Sequence, residues 1–194
     1  MRVRASHKLH ILPESAFGFF VFVLPVLCVI LFALWLAATA AVENVRFAQT
    51  ASQLLSLIST LRDDAAKEPN FGLQPGEDLI ATLIRRGQIV GSGGDTQTWL
   101  LNSWHGAIRA TTAQPTLTRL ETDLPTADCR RMALFFGRAR RDTGLQRMEA
   151  HGGSGGWRAI YDNTGADADP NVRAVDAACG EEPQASLALL LRLR

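Results

Sequence analysis

Between Ser15 and Val42 the chain carries no charged side chain, and from Phe19 to Ala38 every residue is apolar. About 20 apolar residues in an α-helix cross the ~30 Å hydrocarbon core of a bilayer. In lipid a helix satisfies its own backbone hydrogen bonds, which an irregular segment cannot do. The run therefore predicts a membrane-spanning helix reaching to about residue 42, with Pro25 loosening its first turns. Arg2, Arg4 and Lys8 precede it against one acid, Glu14, and Glu43 follows. The positive-inside rule then places the N-terminal segment in the cytoplasm and the rest outside. A secretory signal peptide is the rival reading. Its apolar region is about 7–15 residues long and this one is longer, but Ala37 to Ala41 offers small residues at which a signal peptidase could cut. A plain uncleaved anchor also satisfies the run taken alone.

The helical pattern continues beyond the run. Neither Gly nor Pro occurs from Glu43 until Pro69. Phe47, Ala51, Leu54, Ile58, Leu61 and Ala65 recur at spacings of four and three, which is one face of an amphipathic helix. Arg46, Gln49, Ser52, Arg62 and Asp63 fall mostly off that stripe. The sequence predicts one helix over 19–67, roughly 70 Å long at 1.5 Å per residue.

Residues 68–194 are expected to form a separate exported domain. Turn signals at Pro69 to Gly76 lead to a short helix from Asp78 to about Arg86, closed by Gly87. Thr98–Leu101, Ala107–Thr112, Thr116–Thr122, Trp157–Tyr161 and Leu187–Leu193 read as strands. Cys129–Ala139 reads as a helix, and His151 to Gly156 as a flexible turn. The expected class is α+β: a long N-terminal membrane-spanning helix packed on a small antiparallel sheet domain, with no internal repeat.

Chemistry-bearing residues are sparse. Of three cysteines, Cys28 lies in the apolar run. Cys129 and Cys179 lie in the exported part, where an oxidising compartment favours a disulfide over two free buried thiols. Such a bond would close a loop of about 50 residues, worth on the order of 4 kcal/mol in the chain-entropy model. No zinc site is expected from two cysteines without a nearby His pair. His7 and His10 precede the run, His105 reads as a turn residue, and His151 as solvated among glycines. The glycine loop at 152–156 lacks the Lys-Ser/Thr end of a phosphate loop. Asp162, Asn163, Asp167 and Asp169 offer oxygens without EF-hand spacing. Arg138, Arg140 and Arg141, with Arg130 and Arg131, read as a solvated basic face. The chain of 194 residues has net charge +1, and its mean hydropathy of +0.05 is raised by the apolar run. No enzyme, cofactor, metal or nucleic-acid partner is expected.

A basic leader, a glycine, a phenylalanine-led apolar helix, an α+β domain and a late pair of cysteines together resemble a type IV pilin. Three local stretches resemble the type IVb branch of conjugative thin pili and bundle-forming pili. Asp78-Leu79-Ile80 through Gly87 to Val90 resembles the short helix and glycine after the spine. Leu101-Asn102-Ser103-Trp104-His105-Gly106-Ala107-Ile108 resembles an Asn-Pro-Trp-Gly-Gly segment, with Ser103 and His105 departing from it. Leu124-Pro125-Thr126-Ala127-Asp128-Cys129 resembles the opening of a disulfide loop whose far end is Cys179.

The resemblance implies a leader over 1–18, cleaved by a prepilin peptidase at Gly18-Phe19, with Phe19 then N-methylated. It implies that Phe20, Phe22, Val23, Leu24 and Leu27 form the helix surface that packs against other pilin subunits, under a pilus assembly machinery. It implies an inner-membrane protein of a Gram-negative envelope whose domain sits in the periplasm and then in an extracellular pilus. Val23 stands where pilins usually carry a glutamate, the fifth mature position; some filament-tip members lack it too. Ala16-Phe17 stand where a Lys or Arg usually precedes the glycine. The alternative function is an uncleaved, single-pass, membrane-anchored periplasmic binding or scaffold domain.

Overall fold

A computed structural model describes residues 23–67, 71, 76–92, 99–114, 117–153, 155–163 and 170–193. Helix α1 spans Leu24–Lys67. It ends two residues before Pro69, whose ring excludes the helical conformation from the residue before it. The chain divides into two compact units, Met1–Val45 and Arg46–Arg194. In the first, every described residue is exposed. Pro25 is the second residue of α1.

In the second unit, α1 buries Ala51, Leu54, Leu57, Ile58, Leu61 and Ala65; of the expected stripe Phe47 is only partly buried against this core, and Leu57 is added. Helix α2 is Leu79–Arg85, with the Asp78 carboxylate accepting from the Ile80 N–H at 2.8 Å as its cap. Gly87 follows at φ +68°, the left-handed conformation that glycine adopts without strain after a helix. Strands β1 (Leu100–Leu101), β2 (Ala107–Gln114) and β3 (Leu117–Pro125) come next, then helices α3 (Thr126–Arg138) and α4 (Arg140–Thr143). Strands β4 (Leu145–Gly152) and β5 (Arg158–Asp162), helix α5 (Val172–Cys179) and strand β6 (Gln184–Arg192) complete the fold.

The six strands form one antiparallel sheet in the order β1-β2-β3-β6-β4-β5. The terminal strand β6 thus lies inside the sheet. Its register sets Leu189 against both Leu120 and Met148, and Leu187 against both Thr122 and Ala150. These alternate residues are buried with the α1 stripe, Leu79, Ile80 and Leu83 of α2, Met132 and Phe136 of α3, and Val175 and Ala178 of α5. The other alternation carries ion pairs: Arg119 with Glu121 and Glu149, Arg109 with Asp123, and Arg147 with Glu149.

Two expectations are corrected and two unassigned elements are added. Helix α3 starts at Thr126 rather than Cys129, directly from the extended Pro125 at the end of β3. Residues 145–152 form a strand, although Met148, Glu149 and Ala150 favour helix; pairing on both sides overrides that preference. His151 and Gly152 are therefore rungs of β4, opposite Ser186 and Ala185, rather than a flexible turn. Helix α5 is the other added element: Asn171 caps it by accepting from the Arg173 N–H, and Gly180 closes it.

Candidate functional site

The apolar segment and the disulfide region are the two places where the sequence reading puts function. Gly18, Phe19, Phe20 and Phe22 lie outside the described residues. Val23, Leu24 and Leu27 lie within them and are 48%, 41% and 46% exposed. The same holds for the large apolar side chains that follow, up to Trp35 and Leu36. On this stretch Thr39 Oγ1 donates within its own helix, to the Leu36 carbonyl at 2.9 Å. The helix is long and apolar enough to cross a membrane. An unbroken apolar surface of this extent is what lipid or another apolar partner covers.

Cys129 on α3 and Cys179 at the end of α5 form a disulfide, with Cα atoms 6.0 Å apart and both residues fully buried. Cys28 is free and exposed. Arg130 reinforces the disulfide. Its guanidinium lies 3.2 Å from the Asp176 carboxylate and donates to the Gly180 carbonyl at 3.0 Å, so a second tie joins α3 to α5. Gly152 packs against this junction; a Cβ there would come within 2.0 Å of the Cys179 carbonyl oxygen.

The segment from Leu101 to Ile108 is organised by Asn102, which is 4% exposed. Its Oδ1 accepts from the Trp104 and Gly106 N–H groups, both at 2.9 Å. Its Nδ2 donates to Thr122 Oγ1 at 2.9 Å and to the Asp123 carbonyl at 2.6 Å. One amide thus closes the β1–β2 turn and fastens it to β3. His105 takes φ +61° in this turn, so it is a turn residue, as expected. Gly106 is required by proximity, since a Cβ would meet the Asp123 carbonyl oxygen at 1.9 Å. The turn also docks on α1: the Ser103 N–H donates to Thr50 Oγ1 at 3.2 Å, and Gln53 Nε2 to the Leu101 carbonyl at 3.1 Å.

The buried Asp64 was missed, because its type hides it among polar neighbours. It lies three residues past Leu61, on the buried stripe. Gln88 Nε2 donates to its Oδ1 at 2.6 Å, and Arg86 lies 3.5 Å from its Oδ2. On the other side of the sheet, Arg119 is held charged more firmly than an ordinary arginine. Burial opposes its charge, but its hydrogen bonds and Coulombic attraction to Glu121 and Glu149 outweigh that and raise its pKa. The Trp157 ring lies 4.4 Å from its guanidinium.

Among the described residues no group of three His, Cys, Asp or Glu converges to hold a metal. Asp162 ends β5 and Asn163 follows it, while Asp167 and Asp169 lie outside the described residues. The basic cluster divides. Arg130 and Arg131 are engaged, the latter with Asp128 at 3.1 Å and over the Phe47 ring. Arg138 and Arg141 are exposed.

These features define an α+β domain, closed by one disulfide and built on the second part of a helix whose first part is predominantly apolar. Compared with known protein families, with curated proteins and with solved structures, the chain finds no match.

Proposed function

We propose that this chain is a structural subunit of a type IVb-like pilus or related envelope filament, and that it occupies a minor or tip position. The observation that carries the reading is the division of α1. Its first part, up to Val42, offers exposed side chains that are apolar except for Thr39, and its second part is the buried spine of a disulfide-closed domain. In this reading the apolar surface, including Leu24 and Leu27, is held by lipid before assembly. On assembly it packs against the same surface of sister subunits. No covalent chemistry is needed, since burial of apolar side chains holds the fibre. Val23 supports the minor or tip position: it cannot supply the carboxylate that a major subunit presents to its neighbour's N-terminal amine.

Val23 and the residues before Gly18 also favour a second reading, an uncleaved membrane-anchored periplasmic domain. The intact mass and N-terminal residue of protein from host membranes separate the two. A chain beginning at methylated Phe19 is expected, and a Gly18→Leu variant should remain unprocessed. A chain beginning at Met1 would overturn the filament reading in favour of the anchor. A start near Val42 would overturn both.

A further inference from the structure

An open cleft of about 770 Å³ lies where β4 turns into β5 and α5 runs into β6. Its floor is two stretches of backbone in direct contact, Gly152–Gly153 and Cys179–Gly180. Gly180 brings a Cβ position within 3.2 Å of Gly152, and Gly153 and Gly180 take φ values of +76° and +74°. The Cys129–Cys179 disulfide backs this floor, so its shape is fixed by covalent and close-packed structure.

The lining has a definite chemistry. Arg130, Arg158 and Arg173 supply three positive charges, and Asp176, Glu181 and Glu182 supply three negative ones. Ala177 is the only apolar side chain lining it among the described residues. Two of the arginines are committed. Arg130 pairs with Asp176 and the Gly180 carbonyl, and Arg158 donates to the Ala177 carbonyl at 3.0 Å. Arg173 has no hydrogen bond or ion pair for its guanidinium among the described residues.

This chemistry selects among ligand classes. An apolar ligand needs apolar and aromatic walls, and a protein partner needs aromatic or aliphatic anchors at its centre; among the described residues the lining has neither. A polyanion needs an excess of positive charge, and here the signs balance. A ligand rich in hydroxyls that bears an isolated acid group fits. An arginine fork matches a carboxylate in two parallel hydrogen bonds, ionised Glu side chains accept from hydroxyls, and a glycine floor admits a ring close to the backbone.

We propose that this cleft binds an acidic saccharide, its carboxylate on Arg173 and its hydroxyls on Glu181 and Glu182. The proposal holds whether or not the chain assembles into a filament.

Calorimetric titration of the full chain in detergent tests it. The probes are sialyllactose, a hexasaccharide of alternating glucuronate and N-acetylglucosamine, neutral maltohexaose, and dextran sulfate. At least one of the two carboxylated sugars should bind, about tenfold or more tighter than maltohexaose. Arg173→Ala should weaken that binding by about tenfold, the loss expected when a charged hydrogen-bond pair is removed. Its melting temperature should not change, because the side chain is exposed and its guanidinium makes no bond among the described residues. Arg173→Lys should recover part of the affinity, which a merely structural role would not show. Three results would each overturn the proposal: neither acidic sugar binds, Arg173→Ala binds as wild type does, or dextran sulfate binds more tightly than both with a steep salt dependence.

Discussion

Helix α1 places two regions of opposite character on one continuous backbone. From Val23 to Val45 no described side chain is buried; from Arg46 to Lys67 one face is buried and the other is polar. Helix propensity does not separate them, since leucine and alanine are abundant in both. The difference lies in what can serve as a partner. Where a folded domain covers the helix, polar side chains are tolerated at the contact: Thr50 and Asp64 are both buried, and each has a defined partner. In the exposed apolar part, the hydroxyl of Thr39 bonds its own helix, as a side chain must where hydrocarbon offers nothing else.

The largest expected effect leaves the apolar region untouched. Cys129→Ser removes a bond closing a loop of separation 50, so the disulfide-closed domain should lose on the order of 4 kcal/mol. Membrane association should be unchanged. Thermal unfolding and membrane fractionation of the same variant check both halves, and unaltered melting would remove the disulfide from the account of stability. Next comes a matched pair. Leu61→Ala, at a fully buried position, should cost about 3 kcal/mol. Leu31→Ala, at a position 56% exposed, should leave the melting of the domain unchanged. Leu31→Arg reverses the comparison: it should oppose insertion by about 3 kcal/mol and shift protein out of the membrane fraction, with the domain still folded. Equal melting losses from the two alanine variants would break the division of α1.

Much of this division is legible in the sequence, because it rests on local periodicity. The uncharged run and the four-three stripe from Phe47 to Ala65 both appear in the structure, and the caps at Asp78 and Gly87 mark α2. Strand β4 is not legible, because Met148, Glu149 and Ala150 become a strand only through neighbours on β5 and β6. Asp64 is hidden for a similar reason: Gln88 and Arg86, which make its burial tolerable, lie more than twenty residues away. The cleft is assembled from Arg130, Gly152, Arg173 and Glu182, four points with no common spacing. Its glycines read in sequence as a flexible loop, yet two of them are close-packed backbone.

A smaller effect tests whether Asp64 belongs to the contact that distinguishes the second part of α1. Asp64→Ala removes the acceptor of the Gln88 bond and the counter-charge 3.5 Å from Arg86. It should cost about 2 kcal/mol, the usual scale for a hydrogen bond to a charged group. Chemical denaturation at constant m-value is the measurement. A neutral result would mean that water or another side chain replaces the carboxylate at no cost, and that the buried face of α1 is specified by its apolar residues alone.

The smallest effect is also the sharpest, because one substitution can be made on both parts of the helix. Thr50 is fully buried, and its hydroxyl accepts the Ser103 N–H. Valine has nearly the same shape without the acceptor, so Thr50→Val leaves that N–H unpaired and should cost about 1 kcal/mol. The loss should be greater if the Asn102-centred turn shifts with it. Thr39→Val removes a hydroxyl whose bond is to the preceding turn of its own helix, a bond that contributes little to helix stability. It should leave the domain unaffected and favour the membrane fraction slightly. A loss of domain stability from one of two identical substitutions and none from the other, 11 residues apart on one helix, would locate the change of surroundings between them. Equal losses would mean that both threonines meet the same medium, and the apolar run would then need a protein partner rather than lipid.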